Sequence, residues 1–190
     1  RLGIAYYPFI FRDGDHLIAY SKSDVFKEMV EGYRAKTGIQ ITAYTYYGAR
    51  HTTAQKPFTD CAGMKGIKIR VPDVPAYRAT PEACGANPTP IAFAEVYLAL
   101  QNGTVDAQEN PLTTIEAKKF YEVQKYLSIT NHVYSPWIVT VSKKWWDGLT
   151  AAEQKVLMDA ARLSRDFERK DTREEAGRAL GDLKAKGMLI

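Results

Sequence analysis

The chain has 190 residues, of which 45% are hydrophobic and 25% charged, a composition typical of a globular protein rather than a disordered one. Its net charge is +4, but lysine and arginine are spread along the chain without a block of like charges. This pattern argues against a nucleic-acid-binding surface. No apolar run approaches the roughly 18 residues of a membrane-spanning helix.

Cysteine and histidine are too few and too scattered to predict a metal site. The chain has two cysteines, Cys61 and Cys84, and three histidines, His16, His51 and His132. No pair of histidines is one helical turn apart. We therefore expect no metal and no disulfide framework, and we favour two buried free thiols. A Cys61–Cys84 bridge is the alternative in an oxidising compartment.

The first elements in the chain are a helix and a strand. A helix is predicted over 24–36, with Ser23 as its N-cap and Gly38 as its stop signal. The following segment, 39–47, alternates apolar and polar residues, which predicts a β-strand.

The segment GMKGIKIRVP predicts a second, short strand. Ile67, Ile69 and Val71 alternate with charged residues, and Pro72 ends the strand because proline has no N–H group for a β-ladder. Arg70 is therefore expected near the carboxyl end of this strand. In α/β folds with a parallel sheet, ligands bind at the carboxyl ends of the strands.

The rest of the chain continues to alternate helices and strands. We expect a helix over 76–84 that is interrupted at Pro81, a helix from Ile91 to a C-cap at Gly103, and a strand ending at Asn110. A further helix is expected from a capping box at Thr113–Glu116 to about Lys125. A strand from Trp137 and a long helix after a capping box at Thr150 and Glu153 complete the predicted elements. This alternation predicts an α/β fold with a mostly parallel sheet.

Polar and aromatic residues accompany several of these predicted strand ends. Arg50 follows the strand 39–47, Glu109 and Asn110 end another strand, and Phe93 lies in the first turn of a helix. Together with Arg70, they would suit a small carboxylate: arginine offers a planar two-pronged donor, an amide adds an N–H group, and a helix N-terminus favours an anion.

Each of these residues also has a structural interpretation. Arg70 could form a surface ion pair, and Glu109 could be the partner of an ion pair rather than a ligand contact. Phe93 could belong to the core, and Asn110 before a proline is a common turn residue. No single residue decides between these interpretations.

Four segments together resemble the DctP-type solute-binding proteins of tripartite ATP-independent periplasmic (TRAP) transporters. They are GMKGIKIRVP, GANPTPIAFAEVYLALQNGTVDAQENPL, AKKFYEVQKYLSITNHVYSP and VSKKWWDGLTAAEQ. The resemblance extends over nearly all of the 190 residues, and its central block is long and specific.

The resemblance implies a type II periplasmic-binding-protein-like α/β fold, in which two lobes are joined by hinge strands and a long helix. One lobe would comprise 1–47 and 136–175, and the other 48–135 and 176–190. Members of the family have roughly 300 residues, a two-domain size. We therefore expect the chain to be partial, with the N-terminal part of the first lobe missing.

The resemblance also implies roles for individual residues. Arg70 would form the two-pronged contact with the ligand's carboxylate, Arg50 would also reach the ligand, and Asn110 would pair with the same carboxylate. Phe93 would line the pocket.

Two further residues are carried over from the family with less specific roles. Glu109 would lie near the ligand, and Trp137 falls at a position that varies with substrate. The chain would cross between the lobes at Tyr46–Gly48 and Ser135–Trp137, and the lobes would close by a hinge motion.

The implied function is that of a periplasmic binding protein without enzymatic activity and without a cofactor. It would capture a small organic acid, either a dicarboxylate or a sugar acid such as a hexuronate, and deliver it to the TRAP membrane permease. The alternative is a ligand-sensing domain of a signalling system. An enzyme has little support, because Glu109 and His132 form only a loose acid–base pair and no phosphate-binding loop is present.

Overall fold

The structure is a computed structural model that describes residues 2–190. Within these residues the β-strands are β1 (Ile39–Ala54), β2 (Lys68–Val71), β3 (Asn87–Pro90), β4 (Ala107–Pro111) and β5 (Tyr126–Ser142). The α-helices are α1 (Gly14–Tyr20), α2 (Asp24–Thr37), α3 (Pro75–Ala83), α4 (Val96–Gln101), α5 (Leu112–Ala117), α6 (Lys143–Asp147) and α7 (Ala151–Ala185). Short 3₁₀ helices lie at Leu2–Tyr6, Ala62–Met64, Phe93–Glu95 and Phe120–Glu122.

The five strands form one mixed sheet in the order β3-β2-β4-β1-β5. β2 is parallel to β3 and β4, whereas β1 is antiparallel to both β4 and β5. The prediction of a mostly parallel sheet is therefore wrong, although the α/β fold is confirmed. The long strands β1 and β5 account for the difference, because they pair with each other along nearly their whole lengths.

Helix α2 and helix α7 begin as their sequences predict. The Ser23 hydroxyl accepts a hydrogen bond from the Phe26 amide at the start of α2, and Gly38 ends the helix in the left-handed conformation. Thr150 and Glu153 form a complete capping box at the start of α7. Side-chain caps of this kind satisfy N–H groups that the first helical turn leaves unpaired.

Two other elements differ from their predictions. Helix α3 is continuous through Pro81 rather than interrupted. Helix α5 begins directly after Pro111 without a side-chain cap and ends at Ala117, so the capping box predicted at Thr113–Glu116 is absent. Lys119 has a positive φ of 54°, which prevents α5 from continuing towards Lys125.

The two cysteines form a disulfide, so the preferred prediction of free thiols is wrong. Cys61 immediately precedes the 3₁₀ helix at Ala62–Met64, and Cys84 is the C-cap of α3. The bridge thus ties the loop after β1 to the end of α3. Sequence spacing alone could not show that the two residues meet in space.

Buried apolar residues form separate clusters on the sheet. One cluster packs α4, α5 and the end of α7 together, around Val96, Ile115, Phe120 and Leu183. A second cluster contains Phe11, Leu17, Phe26, Tyr44 and Tyr46. A third, smaller cluster surrounds Met64 and Ile69.

No helix within residues 2–190 is long and apolar enough to cross a membrane. The described residues also contain no group of three or more His, Cys, Asp or Glu side chains that could hold a metal ion.

Candidate ligand-binding site

Arg70 is a buried arginine with unused hydrogen-bonding capacity. It lies in β2, is 3% exposed, and donates from Nε to the backbone carbonyl of Ile91 at 2.9 Å. Its buried Nη1 has no hydrogen-bond partner among residues 2–190. Burial lowers the pKa of Arg70 from its ordinary value, and the nearby Glu109 charge opposes that effect. An arginine remains charged under these conditions, so the site holds a cation that has no direct salt-bridge partner among residues 2–190.

Phe93 lies beside this guanidinium. The Cζ atom of Arg70 is 5.7 Å from the centre of the Phe93 ring, and 42% of the Phe93 residue is exposed. Phe93 begins the 3₁₀ helix that leads into α4, so the ring is at a helix start as predicted. The structure therefore places an exposed aromatic ring next to an arginine whose Nη1 has no hydrogen-bond partner among residues 2–190.

Arg50 is also buried, but its guanidinium is occupied by protein groups. Its Nε donates to Glu109 Oε2 at 2.5 Å, and its Nη2 donates to Glu109 Oε1 at 2.9 Å and to the Glu109 carbonyl at 2.8 Å. The same Nη2 donates to Asn110 Oδ1 at 3.1 Å. Tyr77 covers the guanidinium, with its ring centre 4.9 Å from Arg50 Cζ. Arg50 lies within β1 rather than after it, because that strand is longer than predicted.

Glu109 lies between two basic side chains. Besides the Arg50 contacts, its Oε2 is 3.2 Å from His132 Nε2. Burial alone would raise the pKa of Glu109, but the Arg50 charge and the hydrogen bonds from His132 and Arg50 hold that pKa below its ordinary value. Glu109 is thus a buried carboxylate that neutralises Arg50. Removal of one partner from such a pair typically costs about 3–5 kcal/mol.

A bulge in β5 places His132 beside Glu109. Arg50 pairs with Val133 and Thr52 pairs with Ser128, so four residues of β5, 129–132, lie opposite one residue of β1. Bulges re-aim side chains in this way. The Thr130 hydroxyl is 2.7 Å from His132 Nδ1, which fixes the ring from its other side.

Arg70 lies outside the cavity that Glu109 and His132 line. A cavity of about 770 Å³ is lined by Ile69, Glu109, His132 and Tyr77 together with the Cys61–Cys84 disulfide. Arg70 is not among its described lining residues. Successive side chains of a strand point to opposite faces, so Arg70 faces away from Ile69. Arg70 pairs in register with Gln108, which places it on the same face as Gln108 and Asn110.

Trp137 stands apart from the other predicted site residues. It lies in β5, is 56% exposed, and meets Tyr47 edge to face with ring centres 4.6 Å apart. The Tyr47 hydroxyl is in turn 2.5 Å from the Thr114 hydroxyl on α5. The structure therefore brings Arg50, Glu109 and Asn110 together and Arg70 beside Phe93, but it shows no contact that joins Trp137 to either group within residues 2–190.

Sequence reasoning missed Tyr77 and Gln108. Tyr77 lies in a predicted helix without any motif to mark it, and its contact with Arg50 depends on how α3 packs on the sheet. Gln108 precedes two predicted site residues and could have been noticed, because alternation places it on the same face of β4 as Asn110.

The chain matches the DctP family, described as bacterial extracellular solute-binding protein, family 7, over residues 1–190. It belongs to this family. It is 36% identical over 184 residues to the 2,3-diketo-L-gulonate-binding periplasmic protein YiaO of Escherichia coli, an alignment that covers 96% of this chain and 56% of YiaO.

Solved structures of TRAP periplasmic solute-binding proteins have the same fold. A Polaromonas protein bound to D-erythronate superposes with a TM-score of 0.94 at 35% identity and covers 99% of this chain and 62% of that one. A Sulfitobacter protein with bound β-D-galacturonate gives a TM-score of 0.94 at 30% identity, over 98% and 62% of the two chains. The chain spans about half the length of the curated relatives it matches.

Proposed function

We propose that the protein binds a small organic acid and that Arg70 holds the acid's carboxylate. The observation that supports this most directly is the buried Nη1 of Arg70, which has no partner among the described residues. A buried charged group without a partner is costly unless a ligand completes its hydrogen bonds. A carboxylate is the best complement, because it accepts two parallel N–H groups from one guanidinium.

The remaining predicted site residues are assigned to two kinds of role. Asn110 lies on the Arg70 face of the sheet and would add an amide N–H donor to the carboxylate, while Phe93 would provide an apolar wall. Glu109 occupies so much of Arg50 that we assign Arg50 mainly to holding Asn110, with any ligand contact through its remaining N–H groups. Trp137 would contribute an exposed aromatic surface beside the hinge.

The ligand we propose is a dicarboxylate or a sugar acid such as a hexuronate. Three similar proteins support the sugar-acid class, because they are named for or bound to diketogulonate, erythronate and galacturonate. We further propose that the protein acts in the periplasm without catalysing a reaction and delivers its ligand to TRAP permease subunits. Several relatives are named periplasmic binding proteins, which supports this location.

We also propose the two-lobe division of 1–47 with 136–175 and 48–135 with 176–190. The cluster around Phe26 draws all its fully buried members from the first set of residues. The cluster around Val96 draws all of its members from the second set. Tyr46 and Gly48 pair with Pro136 and Ser135, so the two proposed crossings lie side by side, as a hinge requires.

The experiment is a calorimetric titration of the protein and its Arg70 variants with D-galacturonate and D-erythronate. Arg70→Ala should weaken binding by about 2–5 kcal/mol, because the buried carboxylate loses its charged partner. Arg70→Lys should also bind poorly, since an ammonium group cannot make two parallel hydrogen bonds. The methyl ester of D-galacturonate should not bind, because it lacks the negative charge.

Arg78→Ala is the matched control. Arg78 is a partly exposed arginine of α3 that pairs with exposed Asp73, so its removal should leave affinity unchanged. The proposal is wrong if Arg70→Ala and Arg78→Ala bind the acids equally well, or if the ester binds as tightly as the acid.

A further inference from the structure

A series of side-chain hydrogen bonds connects β1 and β4 inside the sheet. Arg50 Nη2 donates to Asn110 Oδ1 at 3.1 Å, and Asn110 Nδ2 donates to Gln108 Oε1 at 2.6 Å. Gln108 Nε2 then donates to the Thr53 hydroxyl at 3.0 Å. Each of these residues is at most 4% exposed, so water does not compete for the bonds.

The series ends on backbone carbonyls. The Thr53 hydroxyl donates to Gln124 Oε1 at 3.0 Å. Gln124 Nε2 donates to the carbonyl oxygens of Asp106 at 3.3 Å and Val123 at 3.0 Å. We call this series, from Arg50 through Asn110, Gln108 and Thr53 to Gln124, the amide relay.

Both ends of the amide relay impose the same direction on it. A guanidinium can only donate, so Asn110 must turn its oxygen towards Arg50. A carbonyl can only accept, so Gln124 must turn its nitrogen towards the backbone and its oxygen towards Thr53. Every hydrogen bond between these ends therefore runs in one sense, and hydrogen bonds aligned in this way strengthen one another.

The amide relay determines which hydrogen-bonding groups of the Asn110 side chain remain free. Its oxygen is used by Arg50, and one of its two N–H groups is used by Gln108. The second N–H group remains available as a donor. Gln108 pairs in register with Arg70 across β2 and β4, so the relay passes directly beside the arginine assigned to the ligand. A flipped Asn110 would present an oxygen, which repels a carboxylate.

We propose that Thr53, Gln108 and Gln124 are positioning residues that fix the Asn110 amide with an N–H group towards the ligand's carboxylate. The contact between the Asn110 amide and the ligand rests on the proposed function. The fixed orientation of Asn110 follows from the hydrogen bonds alone. Neither Thr53 nor Gln124 needs to touch the ligand, because both act through Asn110.

Thr53→Val and Thr53→Ser are the matched variants that test this inference. Valine has nearly the shape of threonine but cannot connect Gln108 to Gln124, whereas serine keeps the hydroxyl. The first measurement is the ¹⁵N NMR signal of the Asn110 side-chain amide in the ligand-free protein. This signal should move in Thr53→Val and stay at its wild-type position in Thr53→Ser.

The second measurement is calorimetric affinity for D-galacturonate. Thr53→Val should raise Kd about tenfold or more, and Thr53→Ser should change it by less than about twofold, since a hydrogen bond to a charged acceptor is at stake. If wild-type protein binds no D-galacturonate, the proposed function fails for that acid, and the NMR signal alone decides the positioning role.

An unmoved Asn110 signal in Thr53→Val would overturn the inference, as would equal shifts in the valine and serine variants. A purely structural role for Thr53 predicts lower thermal stability without a shift of the Asn110 signal. If Thr53→Val does not fold, Gln124→Leu removes the relay's anchor at its far end and should move the same signal.

Discussion

Arg70 and Arg50 are similarly buried, yet only Arg50 forms a salt bridge with another of residues 2–190. Arg50 has a carboxylate at hydrogen-bond distance, whereas Arg70 has, among residues 2–190, only a backbone carbonyl on Nε and no partner for Nη1. Glu109 thus neutralises one of two neighbouring cations. The other, Arg70, has no carboxylate at hydrogen-bond distance among residues 2–190. Glu109 and Gln108 alternate along β4, so the residue in register with Arg70 is an amide and not a carboxylate.

Trp137 offers a test of the aromatic part of the proposed pocket. Trp137→Leu should weaken D-galacturonate binding by about 1–3 kcal/mol, because a large aromatic surface is lost from the interface. Trp145→Leu is the control, since Trp145 is 52% exposed on α6. Calorimetry on both variants decides the matter. Equal affinity losses, or none at Trp137, would remove this residue from the site.

His51 should make folding stability depend on pH. Burial, and next the neighbouring His132, lower the pKa of His51 from 6.5 to about 4. The folded state therefore resists protonation that the unfolded state accepts. The contribution of neutral His51 to the free energy of unfolding is fully present above pH 6.5. It is lost as pH falls from 6.5 towards about 4, by about 3 kcal/mol in total.

The measurement is urea unfolding between pH 7 and pH 4 for wild type and two variants. His51→Gln should flatten the loss of stability over this interval, because glutamine does not titrate. His16→Gln controls for the substitution itself, since His16 is only half-buried at the start of α1. Identical slopes in wild type and His51→Gln would contradict the assignment.

The sequence indicated several residues that lie at strand ends and helix starts, but not how these residues contact one another. Arg70, Asn110 and Phe93 could be found because strand ends and helix starts are visible as local patterns. The Arg50–Glu109–His132 contacts could not, because they depend on the pairing of β1 with β4 and on a bulge in β5. Such long-range register is not encoded in any short segment. The possibility that Glu109 is an ion-pair partner was nevertheless foreseen.

At the scale of elements, local chemistry predicted starts and stops where a side-chain cap exists. Ser23 and the Thr150–Glu153 pair specify where α2 and α7 begin. Prediction failed for α5, where Pro111 starts the helix and a left-handed Lys119 follows its end. It also failed for β1, because pairing with β4 and β5 extends the strand past the glycine at position 48.

Gly48 connects β1 to the beginning of α5 by close approach. It has a φ of 128°, and a Cβ atom there would lie 3.1 Å from Pro111 Cβ. Gly48→Ala should therefore destabilise the fold by about 1–3 kcal/mol, from backbone strain and from crowding. Urea unfolding measures this loss directly.

Gly32→Ala provides a control of opposite sign. Gly32 lies inside α2 with nothing within 4 Å of an added Cβ, so alanine should stabilise the protein by about 1 kcal/mol through helix propensity. Equal effects at both positions would show that the Gly48 conformation imposes no special requirement.

At the scale of the whole molecule, α7 connects the two proposed lobes in addition to the crossings in β1 and β5. It contacts β1 through the Arg169 guanidinium, which donates to the Tyr44 carbonyl at 2.8 Å, and it ends in the cluster that contains Leu183. Its buried residues, Ala179 and Leu183, lie near its end. A helix that spans two lobes in this way can guide their relative motion without a single core between them.

The Cys61–Cys84 disulfide should raise the free energy of unfolding of the whole protein. The bridge closes a loop across 23 residues of sequence and lies against the small cluster around Met64 and Ile69. By restricting the unfolded chain, a loop of this size is expected to contribute about 3 kcal/mol. Urea unfolding with and without a reducing agent should therefore differ by about 2–4 kcal/mol. The double variant Cys61→Ala/Cys84→Ala should match the reduced protein and should not respond to the reductant. If reduction leaves the unfolding midpoint of the wild type unchanged, the bridge contributes no net stability. The apolar cluster around Met64 and Ile69 then stabilises this region by packing alone.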